Sequence, residues 1–314
     1  MFAYIIRRIL ATIPVMVVVA LFVFLMLRLT PGDPASVIAG DYATAEDIAR
    51  IRQNLGLNEP IFIQFTTWIG QLLRGDLGIS IFTNLPVTTL IGQRLEPTIM
   101  LTLTTIIFTV AVAVPLGTLA AWKSGSLIDR FVMLFSVAGF SVPVFVLGYI
   151  LIYILAIKLQ LLPVQGYKSI AQHGVLPFLR HIILPTVTLS VIFIALIARM
   201  TRASVMEVLQ EDYVRTARAK GQSEFKILLR HALRNAAVPI VTVIGLGIAL
   251  LIGGVVVTES VYNIPGLGRL VLDAVLKRDY PIIQGLILLF SLVYILVNLA
   301  IDLAYTVLDP RIRY

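Results

Sequence analysis

The chain has 314 residues, 59% of them hydrophobic and 13% charged, with a formal net charge of +8 and a mean hydropathy of +0.96. Soluble domains carry about 25% charged residues, so half that share excludes an ordinary water-soluble enzyme and, more firmly, a disordered chain. With no cysteine, disulfides, thiolate metal sites and a cysteine nucleophile are also excluded.

Six long apolar segments follow one another, at residues 9–29, 98–121, 131–157, 182–198, 236–258 and 282–308. Each is close to or above the ~20 residues that a membrane crossing needs. Backbone amides in lipid must be satisfied internally, which makes such segments helices. A transmembrane barrel would alternate over segments of about 10 residues instead, and no such pattern occurs. The expected fold class is an all-α polytopic membrane protein with six transmembrane helices.

Arg7 and Arg8 before the first segment resemble the start of a signal peptide, but the apolar run behind them, about 21 residues, is longer than a signal core. No small-x-small site follows, so a retained first helix is expected. Six crossings put both termini on one side. The short stretches of that side hold Arg7, Arg8, Lys123, Arg130, Arg311, Arg313 and the dense cluster Arg199, Arg202, Arg215, Arg218, Lys220, Lys226, Arg230 and Arg234. The short loops opposite hold Lys158, Lys168, Arg180, Arg269, Lys277 and Arg278. Basic residues mark the cytoplasmic side, so both termini are expected there. Nucleic acid is the weaker reading of the positive charge.

The first loop, about residues 30–97, is long enough to carry structure of its own. Thr44 with Asp47 suggests a capped helix over 45–55 ended by Gly56. A second amphipathic helix is expected over 61–73, ending at Gly75-Asp76. Its Trp68 suits either an aromatic anchor at the outer interface or packing inside a small external subdomain.

Segment 199–235 is charged where its neighbours are apolar. It reads as a helix over 203–220, a break at Gly221 and a second helix over 224–233. A few residues would suffice to join two crossings, so a segment this long is expected to dock another protein.

Catalytic patterns are missing. There is no G-x-x-x-x-G-K-[ST] phosphate loop, no complete G-x-G-x-x-G and no H-E-x-x-H. No serine sits in G-x-S-x-G. His173, His181 and His231 are scattered, and Ser141, just before Pro143, marks a kink rather than a nucleophile. Inside the crossings, Thr98, Thr102, Thr104, Thr105 and Thr109 suit either helix–helix hydrogen bonds or the lining of a path. Gly245, Gly247, Gly253 and Gly254 suit close helix packing. Asn298 and Asp302 share one face of the last helix.

The run Glu211-Asp212-Tyr213-Val214-Arg215-Thr216-Ala217-Arg218-Ala219-Lys220-Gly221 resembles the cytoplasmic loop of binding-protein-dependent ABC importer permeases of the dipeptide/oligopeptide/nickel group. Against their pattern E-A-A-x-x-x-G-x9-I-x-L-P, the chain keeps Ala217, Gly221 and Leu233. It has Arg215, Thr216, His231 and Arg234 in place of the glutamate, first alanine, isoleucine and proline. The resemblance runs the length of the chain. It takes in Arg28-Leu29-Thr30-Pro31-Gly32-Asp33-Pro34, Leu55-Gly56-Leu57, Gly75-Asp76-Leu77-Gly78, Ser141-Val142-Pro143, Pro265-Gly266-Leu267-Gly268-Arg269, Arg278-Asp279-Tyr280-Pro281 and Asp309-Pro310-Arg311-Ile312-Arg313-Tyr314. Together these are similar to B-type subunits, above all dipeptide and glutathione permeases.

The resemblance implies a type I ABC importer permease fold. Residues 1–97 would form a first helix plus external loop, residues 98–308 the permease domain with coupling loop 199–235, and residues 309–314 a cytoplasmic tail. It also implies a bacterial inner-membrane protein that forms half of a path for a peptide-like solute. The partners implied are a homologous second permease, two cytoplasmic ATPase subunits and a periplasmic solute-binding protein, with membrane lipid around it and no nucleic acid. ATP and Mg would belong to the ATPases, leaving this chain without cofactor or catalytic residue. Coupling would fall to Arg215, Thr216, Ala217, Arg218, Ala219, Lys220, Gly221, Gln222, Ser223 and Glu224. The alternative from another class is a self-contained channel or secondary transporter. Such proteins often carry internal repeats, and none is evident here.

Overall fold

A computed structural model describes residues 2–29, 34–39, 44–54 and 56–308. In chain order the helices are α1 (Phe2–Leu29), α2 (Pro34–Ala39), α3 (Ala45–Asn54), α4 (Ile61–Leu73), α5 (Val87–Trp122), α6 (Leu127–Ser141) and α7 (Val144–Leu151), which continues as a π-helix over Ile152–Lys158. There follow α8 (Ile170–His173), α9 (Val175–Leu209), α10 (Asp212–Ala219) and α11 (Glu224–Lys226), which continues as a π-helix over Ile227–Ala232 into α12 (Leu233–Asn235). The last are α13 (Ala237–Val261), α14 (Leu267–Lys277) and α15 (Tyr280–Leu308). Among the described residues the sole β pairing is an isolated bridge between Ile79 and Pro86. The architecture is all-α.

All six apolar segments are helical. Val87–Trp122, Val175–Leu209, Ala237–Val261 and Tyr280–Tyr305 are each long and apolar enough to cross a membrane. The first segment is α1, which carries the apolar stretch Leu10–Met26. The third differs from the single helix expected over 131–157. Leu127–Ser141 and Val144–Lys158 meet at a 104° bend. Pro143 brings no N–H to the helix ladder and disfavours helical geometry in the residue before it, and Val142 is accordingly extended (φ −97°, ψ 121°). Ser141 Oγ, at the bend, donates to the Val137 carbonyl at 3.0 Å, as suits a kink.

The chain divides into two compact units, Met1–Leu95 with Arg269–Ile295, and Glu96–Gly268 with Leu296–Tyr314. In the first, Ala20 and Val23 of α1 and Leu288 of α15 form a core on which Trp68, Ile69 and Leu72 of α4 pack. Trp68 stacks 5.7 Å from Phe24 and is half-buried. It thus packs on α1, and the loop helix α4 shares a core with α1 and α15. In the same unit Ser80 Oγ donates to Asp279 Oδ2 at 2.6 Å, and Gly78 lies against Pro281. Two runs nearly 200 residues apart in sequence therefore meet.

The second unit is built around α9, which packs on α6, α7 and α13. Leu101, Ile182, Leu184, Leu189, Phe193, Leu251, Val255, Tyr262 and Ile264 belong to its main core. The threonines of α5 serve that packing. Thr104 shares a 2.9 Å hydrogen bond with Thr186 of α9, and Thr105 and Thr109 are buried. Gly245, Gly247 and Gly254 lie against Ile301, Phe193 and Leu189, whereas Gly253 has open space.

Candidate functional site

The basic segment begins in the last turns of α9. The expected helix over 203–220 is interrupted at Gln210 and Glu211, with Glu211 extended (ψ 146°) before α10. The interruption folds α10 back so that its two buried positions, Val214 and Ala217, pack against Ile227, with Val208 and Leu209 alongside. A continuous helix would carry them away from that cluster. Asn235 Nδ2 donates to the Tyr213 hydroxyl at 2.8 Å, which joins α10 to α12.

At the end of α10 the Gly221 N–H donates to the Arg218 carbonyl at 2.9 Å, and the Gln222 N–H to the Ala217 carbonyl at 3.2 Å. This pair of bonds is a Schellman cap, which needs a left-handed residue after the helix and favours glycine there. Gly221 supplies it with φ +76°. A Cβ built on Gly221 would meet nothing within 4 Å, so the demand is one of backbone conformation and not of space. The turn is spanned by Arg218, whose Nε donates to Glu224 Oε1 at 2.8 Å, and by Gln222, whose Oε1 lies 2.9 Å from His231 Nε2.

The segment named from the sequence is thus one compact turn with two faces. Ala217 is inside. Arg215 pairs with Asp212, and the Thr216 hydroxyl donates to the Asp212 carbonyl at 3.0 Å. Ala219, Lys220 and Ser223 are exposed. Just beyond it the structure adds what the sequence reading passed over: Phe225 is 72% exposed and Leu229 49%, with Lys226, Arg230 and Arg234 exposed around them. An apolar i, i+4 pair inside a basic run was the available signal. Arg202, read as part of the basic cluster, is instead turned inward onto Asp129, with Nη2 donating to Oδ2 at 2.8 Å.

At the other end of this unit lies Glu259, fully buried. The Thr98 hydroxyl donates to its Oε1 at 2.6 Å, and the Leu267 N–H donates to the same Thr98 oxygen at 2.8 Å. A Cβ on Gly266 or Gly268 would run into the Glu259 carboxyl. A buried carboxyl beside the first turn of α14 is favoured by the positive end of the helix dipole there. Close by, the Tyr262 hydroxyl shares a 2.6 Å hydrogen bond with Thr188, and burial pushes its pKa up to about 12, with the Thr188 bond acting in the opposite sense.

Residues 113–314 match the family of binding-protein-dependent transport system inner membrane components, and residues 1–103 match the N-terminal part of such membrane components. The chain belongs to this family. The permease is 60% identical over 311 residues to a probable peptide ABC transporter permease protein, y4tP, of Sinorhizobium fredii (strain NBRC 101917 / NGR234), with 99% of each chain covered. It is 45% identical, over the full length of both chains, to the glutathione transport system permease protein GsiC of Escherichia coli (strain K12). Its fold is similar to a chain of the MetNI methionine ABC transporter in an inward-facing conformation, with TM-score 0.57 and 17% identity over 71% of the permease and 97% of that chain. The permease is therefore an inner-membrane component of an ABC import system, and ATP hydrolysis belongs to separate subunits.

Two buried carboxyl groups of the permease escaped the sequence reading. Asp129 was announced by Ser126-x-x-Asp129, a capping pattern, and Ser126 Oγ does accept from the Asp129 N–H at 3.4 Å. Glu259 was announced by a lone acid next to the apolar run 236–258, a placement that is costly and marks function or tight pairing. Among the described residues no group of three or more His, Asp or Glu converges to hold a metal.

Proposed function

We propose that the permease forms half of the path for a peptide-like solute, a di- or oligopeptide or glutathione, together with a homologous second permease. A periplasmic solute-binding protein delivers the solute, and two cytoplasmic ATPase subunits, which hold ATP and Mg, drive the cycle. The identities of 60% and 45% to permeases whose names state peptide and glutathione transport support the solute class. The lysine and arginine asymmetry supports cytoplasmic termini and a cytoplasmic segment 199–235, within a permease domain of residues 98–308.

Coupling falls to Arg215, Thr216, Ala217, Arg218, Ala219, Lys220, Gly221, Gln222, Ser223 and Glu224. The observation that carries this reading is the Schellman turn at Gly221, which presents α10 and α11 as a rigid knob with an apolar tip ringed by cations. Phe225 and Leu229 supply apolar anchors, and Lys220, Lys226 and Arg230 steer docking toward an acidic groove. ATP-driven closure of the ATPases moves this knob and, with it, α9. The test is reconstituted import by the whole complex after Phe225→Ala. Loss of ATPase subunits from the purified complex supports the docking role, and import at the parental rate with the ATPases retained overturns it.

A further inference from the structure

We propose that Asp129 and Arg202 are a positioning pair that carries the movement of the coupling segment into α6 and so to the bend at Val142. The inference rests on the coupling reading above and goes beyond it, because neither residue is among the coupling residues 215–224.

Arg202 forks onto Asp129. Its Nε and Nη2 reach the two carboxyl oxygens, and the Gly125 N–H donates to Oδ2 at 2.9 Å. The Asp129 side chain is 6% exposed and that of Arg202 19%. This fork fixes the first turn of α6 to the last turns of α9. At the same level α5 is pressed onto α9, since a Cβ on Gly117 would lie 2.5 Å from the Ala198 carbonyl oxygen and 2.7 Å from Thr201 Cβ. Three helices therefore meet at Arg202.

One turn further along, Val205 shares a core with Ala121, Leu228, Ala232, Ala236 and Ile240. The second half of the coupling segment is thus packed on the helix ends and not hung from them. From Arg202 to the break at Gln210 is about 12 Å of helix at 1.5 Å per residue. A tilt of the segment reaches Arg202 through rigid helix. At its far end α6 stays on α9, because Gly139 lies within 3.0 Å (as a Cβ) of Ala195 Cβ, three residues before the bend at Val142.

A buried ion pair is a poor device for stability, because well-packed apolar residues of the same volume do as well or better. What a guanidinium fork adds is orientation, since two parallel bonds fix the angle between donor and acceptor. That is the property a joint between two moving helices needs, and it separates a positioning role from a structural one.

The experiment uses the full complex, with both permeases, the ATPases and the binding protein, in proteoliposomes, and reads solute imported per ATP hydrolysed. The variants are Arg202→Lys, which keeps the charge and loses the fork, and Asp129→Leu with Arg202→Met, which keeps the packing and loses the pair. Gly221→Val is run alongside. The expected result is normal assembly in both clamp variants with import per ATP lowered about fivefold or more, the scale of a typical coupling factor. A parental ratio in an assembled clamp variant overturns the proposal, and so does failure of both variants to assemble, which would make the pair a folding requirement. If Gly221→Val lowers the ratio while the clamp variants do not, the coupling segment stands and only the clamp falls. If Gly221→Val also keeps the parental ratio, the coupling reading itself falls.

Discussion

Glycine answers two different demands at the two ends of the helical unit that holds α9. Around Glu259, Gly266 and Gly268 are there for room, since a Cβ on either would strike the buried carboxyl, and on Gly268 also the α13 backbone at Val256. Around Asp129 and in the turn after α10, Gly125 and Gly221 are there for backbone conformation, with φ +80° and +76°, and a Cβ on either would meet nothing within 4 Å. Along α5, Thr98 and Trp122 are about 36 Å apart at 1.5 Å per residue, slightly more than the hydrocarbon thickness of a bilayer. One end is closed by packing that admits no added atom. The other holds joints whose geometry is fixed by turns and a fork, with space at Gly125 and Gly221 although α5 and α9 are pressed together nearby at Gly117.

The comparison predicts which substitutions damage the fold and which damage only the cycle. The largest effect belongs to Gly268→Ala. Forcing a methyl against backbone costs about 1–3 kcal/mol or more, so the purified complex should lose several degrees of thermal midpoint or fail to accumulate. A Gly268→Ala complex with parental thermal stability would break the distinction between room and conformation.

Next comes Glu259. Glu259→Gln keeps an oxygen to accept from Thr98, whereas Glu259→Ala leaves the Thr98 hydroxyl and its neighbours short of a partner at about 1–3 kcal/mol. The alanine variant is therefore expected to melt well below the glutamine variant. Equal melting of the two would remove the hydrogen bond from the account. Gly125→Ala should be milder than Gly268→Ala, because only the cost of a left-handed backbone applies, about 1 kcal/mol. The same thermal assay ranks them.

The smallest effect is with pH. Tyr167 has its pKa raised by burial first and by its hydrogen bond to Glu96 second, and Tyr262 is pushed up to about 12 by burial. Both hold their protons more tightly folded than unfolded, where the ordinary value is 10.0. Their contribution is fully present below pH 10 and is lost as pH rises above it. Thermal stability should be insensitive to these groups between pH 6 and 9 on this account, and Tyr167→Phe with Tyr262→Phe should flatten the decline above pH 10 in a detergent-solubilised melt. An unchanged decline would exclude both tyrosines as its cause.

Much of this was legible in the residues. Apolar run length placed all six helical segments, Gly221 was read as a break, and Pro143 as a kink. The missing parts are those in which a local pattern is overruled at long range. Nothing in Gln210-Glu211 breaks a helix strongly; the break exists because Val214 and Ala217 must reach Ile227. Arg202 looked like one more surface cation because its partner, Asp129, is 73 residues away in sequence. The threonines of α5 left two readings open because a hydroxyl that bonds Thr186 and one that lines a path look alike in sequence. The angle at Val142 was likewise not readable, since proline marks where a helix breaks and packing decides by how much.

The central claim is that the Gly221 turn couples ATP hydrolysis to import through its shape. The most direct measurement is solute imported per ATP hydrolysed by the reconstituted full complex carrying Gly221→Val, beside Gly221→Asn. A β-branched residue held at positive φ is strained by about 1–3 kcal/mol, while asparagine tolerates that conformation. The account predicts an assembled Gly221→Val complex whose import per ATP collapses, with Gly221→Asn close to the parental ratio. An assembled Gly221→Val complex that imports at the parental ratio would contradict it, and would leave segment 199–235 as a charged connector.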